Sequence, residues 1–133
     1  RSVALTQLHV VHYDPVKTMH IITGPPGSGK STLAEKLGHP IYDRDLGNLE
    51  EWETDRSPEI TVTVTAPKVM QKQGWVERAQ SVGRTPRLYC IWVSRMVAHF
   101  RAEGRDQRNG KHTFDWIEYW FKHYVRHPIE ERV

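Results

Sequence analysis

The sequence predicts an α/β protein of three layers, with helices on both faces of a parallel sheet of four or five strands. Three observations carry this prediction. Short apolar runs of strand character alternate along the chain with segments of helical periodicity, the order that builds parallel sheets through right-handed crossovers. A glycine-rich stretch, Gly24 to Ser31, stands between the first core strand and the first helix. Leu88 to Val93 is almost continuously apolar, as a strand is when both of its faces are covered.

The glycine-rich stretch reads Gly24-Pro25-Pro26-Gly27-Ser28-Gly29-Lys30-Ser31, two glycines bracketing four residues before Lys-Ser, which is the P-loop form. The run His20 to Thr23 leads in as a strand, and Thr32 to Leu37 leads out with helical composition. A triphosphate has to be met by converging backbone N–H groups, and glycine lets the chain approach closely with positive φ. Gly24, Gly27, Ser28, Gly29, Lys30, Ser31 and Thr32 are therefore the expected nucleotide-binding residues. The helix N-terminus aims unsatisfied donors at the phosphates, Lys30 reaches the β- and γ-phosphates, and the Ser31 hydroxyl is placed to ligate Mg²⁺. The expected ligand is a nucleoside triphosphate, with ATP and Mg²⁺ as cofactors.

Beyond the loop, Gly38 and Pro40 stop the first helix and Ile41-Tyr42 opens a short second strand, with Asp43-Arg44-Asp45 at its end. Leu46 to Glu53 carries Leu46, Leu49 and Trp52 at helical spacing. Glu59 to Thr65 alternates apolar residues with threonine, the clearest strand in the chain, and ends without a Walker B acid. The spacing then predicts a helix over Lys68 to Val82 with Gly83 as its stop, and a strand over Arg87 to Val93. Ser94 is the expected N-cap of a helix running to Glu103, Gly104 its C-cap and hinge, and 94–112 a lid. Thr113 is expected to cap the last helix, whose stripe of Phe114, Ile117, Phe121 and Tyr124 runs until His127-Pro128.

At 133 residues the chain is expected to hold one domain, 19–133, preceded by an N-terminal extension or edge strand over 1–18, with Met19 a candidate natural start. With 38% hydrophobic and 26% charged residues the composition is that of a globular protein, and no apolar run approaches the ~20 residues of a membrane span. Cys90, the single cysteine, lies inside an apolar run, so no disulfide is expected and a reducing cytoplasm fits. The net charge of +3 is compatible with an anionic substrate without demanding one.

In open α/β sheets the carboxyl ends of the strands form the ligand crevice, so Asp43 and Asp45 are the best acidic candidates. Asp45 is read as the carboxylate that orients or deprotonates an acceptor hydroxyl, and Asp43 as a metal ligand beside Ser31. Arg101 and Arg105, four apart on one helical face, suit the charge of a transferring phosphoryl group. Trp75, Trp92, Trp116 and Trp120 are read as core and interface in preference to base-stacking groups. His9 with His12, and His123 with His127, have metal-like spacings but lack a third ligand nearby, so no structural zinc is expected.

The order of these motifs resembles the small P-loop kinases, most closely the kinase domain of bacteriophage polynucleotide kinase, over Met19 to about Tyr124. The residues carrying the resemblance are Gly24 to Ser31, Asp43-Arg44-Asp45, Thr65 to Trp75, Arg101 to Arg105 and the capped helix from Thr113. Asn48 stands where the family usually carries an arginine, and Val64-Thr65 where it carries an acid. The resemblance implies a P-loop kinase fold and Asp45 as general base. The expected activity is ATP-dependent phosphoryl transfer to a hydroxyl of a nucleic acid end, nucleotide or nucleoside. The rivals are a kinase of a small non-nucleotide metabolite and a nucleotide-gated binding protein or ATPase without an acceptor. A motor ATPase is disfavoured by the missing Walker B acid.

Overall fold

The computed structural model describes residues 17–109 and 113–133. The expected edge strand at the N-terminus therefore lies outside the described residues, apart from Thr18, which belongs to the first core strand. That strand, β1 (Thr18–Thr23), runs into the glycine loop and α1 (Lys30–Leu37). There follow β2 (Ile41–Asp43), a 3-10 helix (Leu49–Thr54), β3 (Glu59–Val64), α2 (Val69–Ser81), β4 (Thr85–Cys90), α3 (Arg95–Asn109), α4 (Phe114–His123) and β5 (Glu131–Arg132). The five strands lie in the order β2-β3-β1-β4-β5, and all four pairings are parallel.

Strand alternation sends successive side chains to opposite faces and makes two cores. Met19 and Ile21 of β1 join Ile60, Val62 and Leu88 on one face, closed by Val76 and Ala79 of α2 and by Trp52. Ile22, Tyr89 and Ile91 meet Ala34, Leu33 and Leu37 of α1 on the other. A third cluster, Ala98 and Ala102 of α3 with Ile117 of α4, sits above the carboxyl ends of the strands.

Several boundaries differ from expectation. The segment after Asp45 is a 3-10 helix that starts at Leu49, because the chain first turns on Asp43, whose carbonyl accepts the amides of Leu46 and Asn48. The fourth strand begins at Thr85 and ends at Cys90. The apolar residues Trp92 and Val93 lie beyond that ladder, and Trp92 is 42% exposed, so apolarity there marks neither pairing nor burial. Ser94 does cap α3, its hydroxyl oxygen accepting the Val97 amide at 3.1 Å. Gly104 does not stop that helix: a glycine C-cap requires left-handed φ, which Gly104 does not adopt, and α3 continues to Asn109.

Thr113 makes no capping bond to α4. It donates its amide and hydroxyl to the Asp106 carboxylate at 2.9 and 2.7 Å, joining α3 to the start of α4 instead. The buried residues of α4 are Ile117 and Trp120, whereas Phe114 is 64% exposed, because α3 and the Thr65 carbonyl, which accepts from Trp120 Nε1 at 2.6 Å, fix the inner face. The short β5 carries no apolar signal. It is held by pairing with β4 and by a bidentate contact between Arg87 and Glu131 at 2.9 and 3.0 Å.

Candidate phosphate site and acceptor cleft

The loop between β1 and α1 adopts the backbone its glycines permit: Gly27 has φ +79° and Gly29 φ +98°. A side chain at Gly27 would also collide with α3, since a Cβ there would lie 2.8 Å from the Ala98 carbonyl oxygen. The alanines at 98 and 102 are what let α3 lie directly on the loop. The helix brings Arg101 with it, and Nη1 donates to the Ser28 carbonyl at 3.3 Å.

Lys30 folds back over the loop and donates to the carbonyls of Gly24 and Pro25, both at 3.1 Å. Burial pushes its pKa down to about 8. The Asp43 and Asp45 carboxylates oppose that shift, and the Arg105 guanidinium adds to it. The sequence-predicted groups Lys30, Asp43, Asp45 and Arg105 are thus brought within electrostatic reach of one another. Ser28 is 3% exposed, and its hydroxyl oxygen has no hydrogen-bond partner among the described residues. Ser31 and Thr32 are exposed at the start of α1.

Asp43 ends β2 opposite Thr63 of β3, whose hydroxyl donates to Asp43 Oδ2. The other carboxylate oxygen accepts the Asp45 amide at 2.6 Å. The carboxylate missing from the end of β3 is therefore presented one strand further out and clamped there by a threonine. Asp45 is exposed on the turn that follows.

Between these groups opens a cleft of about 680 Å³. Its lining includes Lys30, Asp43, Asp45 and Arg105 together with Trp75, Trp116, Tyr119 and Trp120. The reading of the tryptophans as core and interface holds for Trp120, which is nearly fully buried, but Trp116 is 64% exposed and lines the cleft. Sequence reasoning missed Thr63 and Tyr119 as parts of the site. Tyr119 lies three residues beyond Trp116 on α4, a helical spacing that could have flagged it.

The donor set suits a polyphosphate. The loop glycines hold the left-handed φ that lets backbone amides face an anion, a buried hydroxyl and a desolvated lysine belong to the same loop, and a clamped carboxylate with an exposed serine offers hard oxygen ligands for a divalent ion. Of the histidine pairs noted in the sequence, His9 and His12 lie outside the described residues. His127 is engaged by Gln73 at 2.7 Å, and His123 packs on Tyr119 with ring centroids 4.2 Å apart.

No family model and no curated protein matches this sequence. Among solved structures, a gluconokinase from Sinorhizobium meliloti 1021 is similar with a TM-score of 0.59 and 16% identity, over 92% of this chain and 83% of that one. A shikimate kinase from Bacteroides thetaiotaomicron matches at 18% identity and a TM-score of 0.45, over 79% of this chain and 75% of that one. The likeness to the gluconokinase is one of fold. This chain has the α/β P-loop kinase fold. The likeness to polynucleotide kinases rests on the sequence motifs alone. None of the described helices is long and apolar enough to cross a membrane.

Proposed function

We propose that the chain is an ATP- and Mg²⁺-dependent phosphotransferase whose acceptor is a hydroxyl of a nucleotide, nucleoside or nucleic acid end. The aromatic wall of the cleft carries this reading. Trp75, Trp116 and Tyr119 line the same cleft as the lysine and the carboxylates. Stacking a base on such rings contributes roughly 1–3 kcal/mol.

In this reading the loop amides from Gly27 to Thr32 and the Lys30 ammonium bind the β- and γ-phosphates. Ser31 and Asp43 hold the Mg²⁺, and Asp43, fixed by Thr63, suits a rigid ligand position. The chemistry the bound ion supplies is neutralisation of phosphate charge. Asp45, exposed on its turn, orients the acceptor hydroxyl and takes its proton as the new oxygen–phosphorus bond forms and the β,γ-bridging bond breaks. Arg101 and Arg105 stabilise the charge of the transferred group.

The test is labelled γ-phosphate transfer to 5′-hydroxyl DNA and RNA, nucleosides, nucleoside monophosphates and sugar acids in parallel, with a Lys30→Ala control. Label in any base-containing acceptor supports the reading, and Asp45→Asn then lowers turnover ~10²- to 10⁴-fold with ATP affinity unchanged. Label confined to sugar acids overturns the acceptor assignment in favour of a small-metabolite kinase, a second reading supported by the fold likeness to the gluconokinase. Label found only in free phosphate overturns both and favours a nucleotide-gated ATPase.

A further inference from the structure

At the opposite end of the sheet from the phosphate loop, on the face covered by α1, three side chains dispersed through the sequence converge. His20 stands on β1, Glu59 opens β3, and His39 lies in the turn between α1 and β2. One nitrogen of each imidazole and one oxygen of the carboxylate lie within 4.8 Å of one another. His20 Nε2 is 2.7 Å from Glu59 Oε1, and His39 Nε2 is 3.3 Å from the same atom.

We infer that His20, His39 and Glu59 form a binding site for a zinc-like divalent transition metal, unrelated to the Mg²⁺ of the phosphate loop. Two imidazoles and a carboxylate are a borderline-soft donor set, which favours zinc over the hard ions magnesium and calcium. The surroundings supply what a ligating histidine needs. His20 is 4% exposed, and its other nitrogen, Nδ1, lies 2.8 Å from the Tyr89 hydroxyl. In the metal-free protein His20 Nε2 is hydrogen-bonded to Glu59 Oε1; on metal binding, Nδ1–H donating to the Tyr89 hydroxyl would free the Nε2 lone pair for the ion, the outer-sphere arrangement that fixes a ligand's tautomer.

An imidazole lone pair lies in its ring plane, so two ligating rings have to share a point in both planes. Here the rings of His20 and His39 are stacked, 5.2 Å apart and within 4° of parallel. One ring therefore turns on binding. His39 is the one free to do so, being 27% exposed on a turn while His20 is enclosed. The ion would tie β1, β3 and the α1–β2 turn together, with its remaining positions open to water.

The experiment titrates the full chain, free of nucleotide, with Zn²⁺ by calorimetry and with Co²⁺ by its visible absorption. The inference expects one ion per chain, a Tm that rises with Zn²⁺ concentration, and affinity at least tenfold lower in both His39→Ala and Glu59→Gln. Tyr89→Phe, which keeps all three ligands, should weaken binding by less than either. Ser31→Ala should bind Zn²⁺ like the parent, which separates this site from the phosphate loop. Circular dichroism guards against variants that fail to fold, and neither His39 nor Glu59 is buried. Absence of stoichiometric binding by folded protein, or binding indifferent to both His39→Ala and Glu59→Gln, overturns the inference.

Discussion

Two lysines of the molecule are withdrawn from solvent, Lys72 fully and Lys30 in part, and they are treated in opposite ways. Lys72 of α2 is fully buried and meets the Glu130 carboxylate at 2.6 Å, the Val125 carbonyl at 2.9 Å and the face of Tyr124 at 4.2 Å. Glu130 is completed by the Tyr124 hydroxyl and the His127 amide. Burial alone would raise the Glu130 carboxyl, but the hydrogen bonds from Lys72, Tyr124 and the His127 amide hold it below its usual range. That cation is already neutralised, and the network pins the C-terminal segment that carries β5 against α2. Lys30 has two carbonyls at 3.1 Å and no carboxylate within ion-pair distance among the described residues. Desolvation lowers its pKa to about 8, and the more distant Asp43 and Asp45 carboxylates only partly oppose that shift. The difference separates scaffold from site: a buried charge with its partners in place holds the fold, while one left short of partners is where a ligand's charge is wanted.

The contrast is broken most severely at Lys72. Lys72→Met removes one member of a buried pair and strands Glu130, so chemical denaturation should show a loss of about 3–5 kcal/mol. Lys30→Met is the converse. It deletes a desolvated cation with weak partners, so stability should stay within about 1 kcal/mol of the parent, while triphosphate affinity by calorimetry should fall ~10²-fold or more. A large loss of stability in Lys30→Met with unchanged nucleotide binding would reverse the assignment of the two lysines.

Gly27→Ala sharpens the site's side of the comparison. The substituted residue would be strained at φ +79° and would press on the Ala98 carbonyl 2.8 Å away, lifting α3 and Arg101 from the loop. A fall of roughly ten- to a hundredfold in nucleotide affinity is expected, corresponding to about 1–3 kcal/mol of strain. Protection of the α3 amides from hydrogen exchange should fall with it.

The smallest effect is on pH dependence. An anion binds the protonated lysine, which is fully populated below about pH 8 in the free protein, so affinity should be flat there. Above that value a proton has to be taken up on binding, and affinity should decline by up to about tenfold per pH unit until the raised pKa of the complex is reached. The same lowered pKa makes the unfolded chain bind the extra proton between about 8 and its usual value of 10.5, so Lys30's contribution to stability rises with pH across that window. Lys30→Met should flatten both profiles.

Much of this was legible beforehand because it depends on neighbours in sequence. The loop, its flanking strand and helix, and the alternating strand Glu59–Val64 follow from local composition. So does the candidacy of Asp43, Asp45, Arg101 and Arg105. What was misread was decided by distant contacts. Gly104 reads as a helix stop, but packing of Ala98 and Ala102 on the loop and on Ile117 carries α3 past it. Thr113 reads as a cap, but Asp106 takes both of its donors. Trp116 reads as core because its type usually is, and only the position of α4 beside the cleft leaves it exposed.

The order of the chain by itself determined a parallel α/β scaffold and a loop able to receive phosphate, since periodicity and glycine conformation act over a few residues. Tertiary structure alone decided that Thr63 clamps Asp43, that aromatic residues of α4 line the same cleft as Lys30, and that His20, His39 and Glu59 meet. Those meetings depend on the strand order β2-β3-β1-β4-β5, which is selected by the simultaneous burial of two sheet faces and has no signature in any single segment.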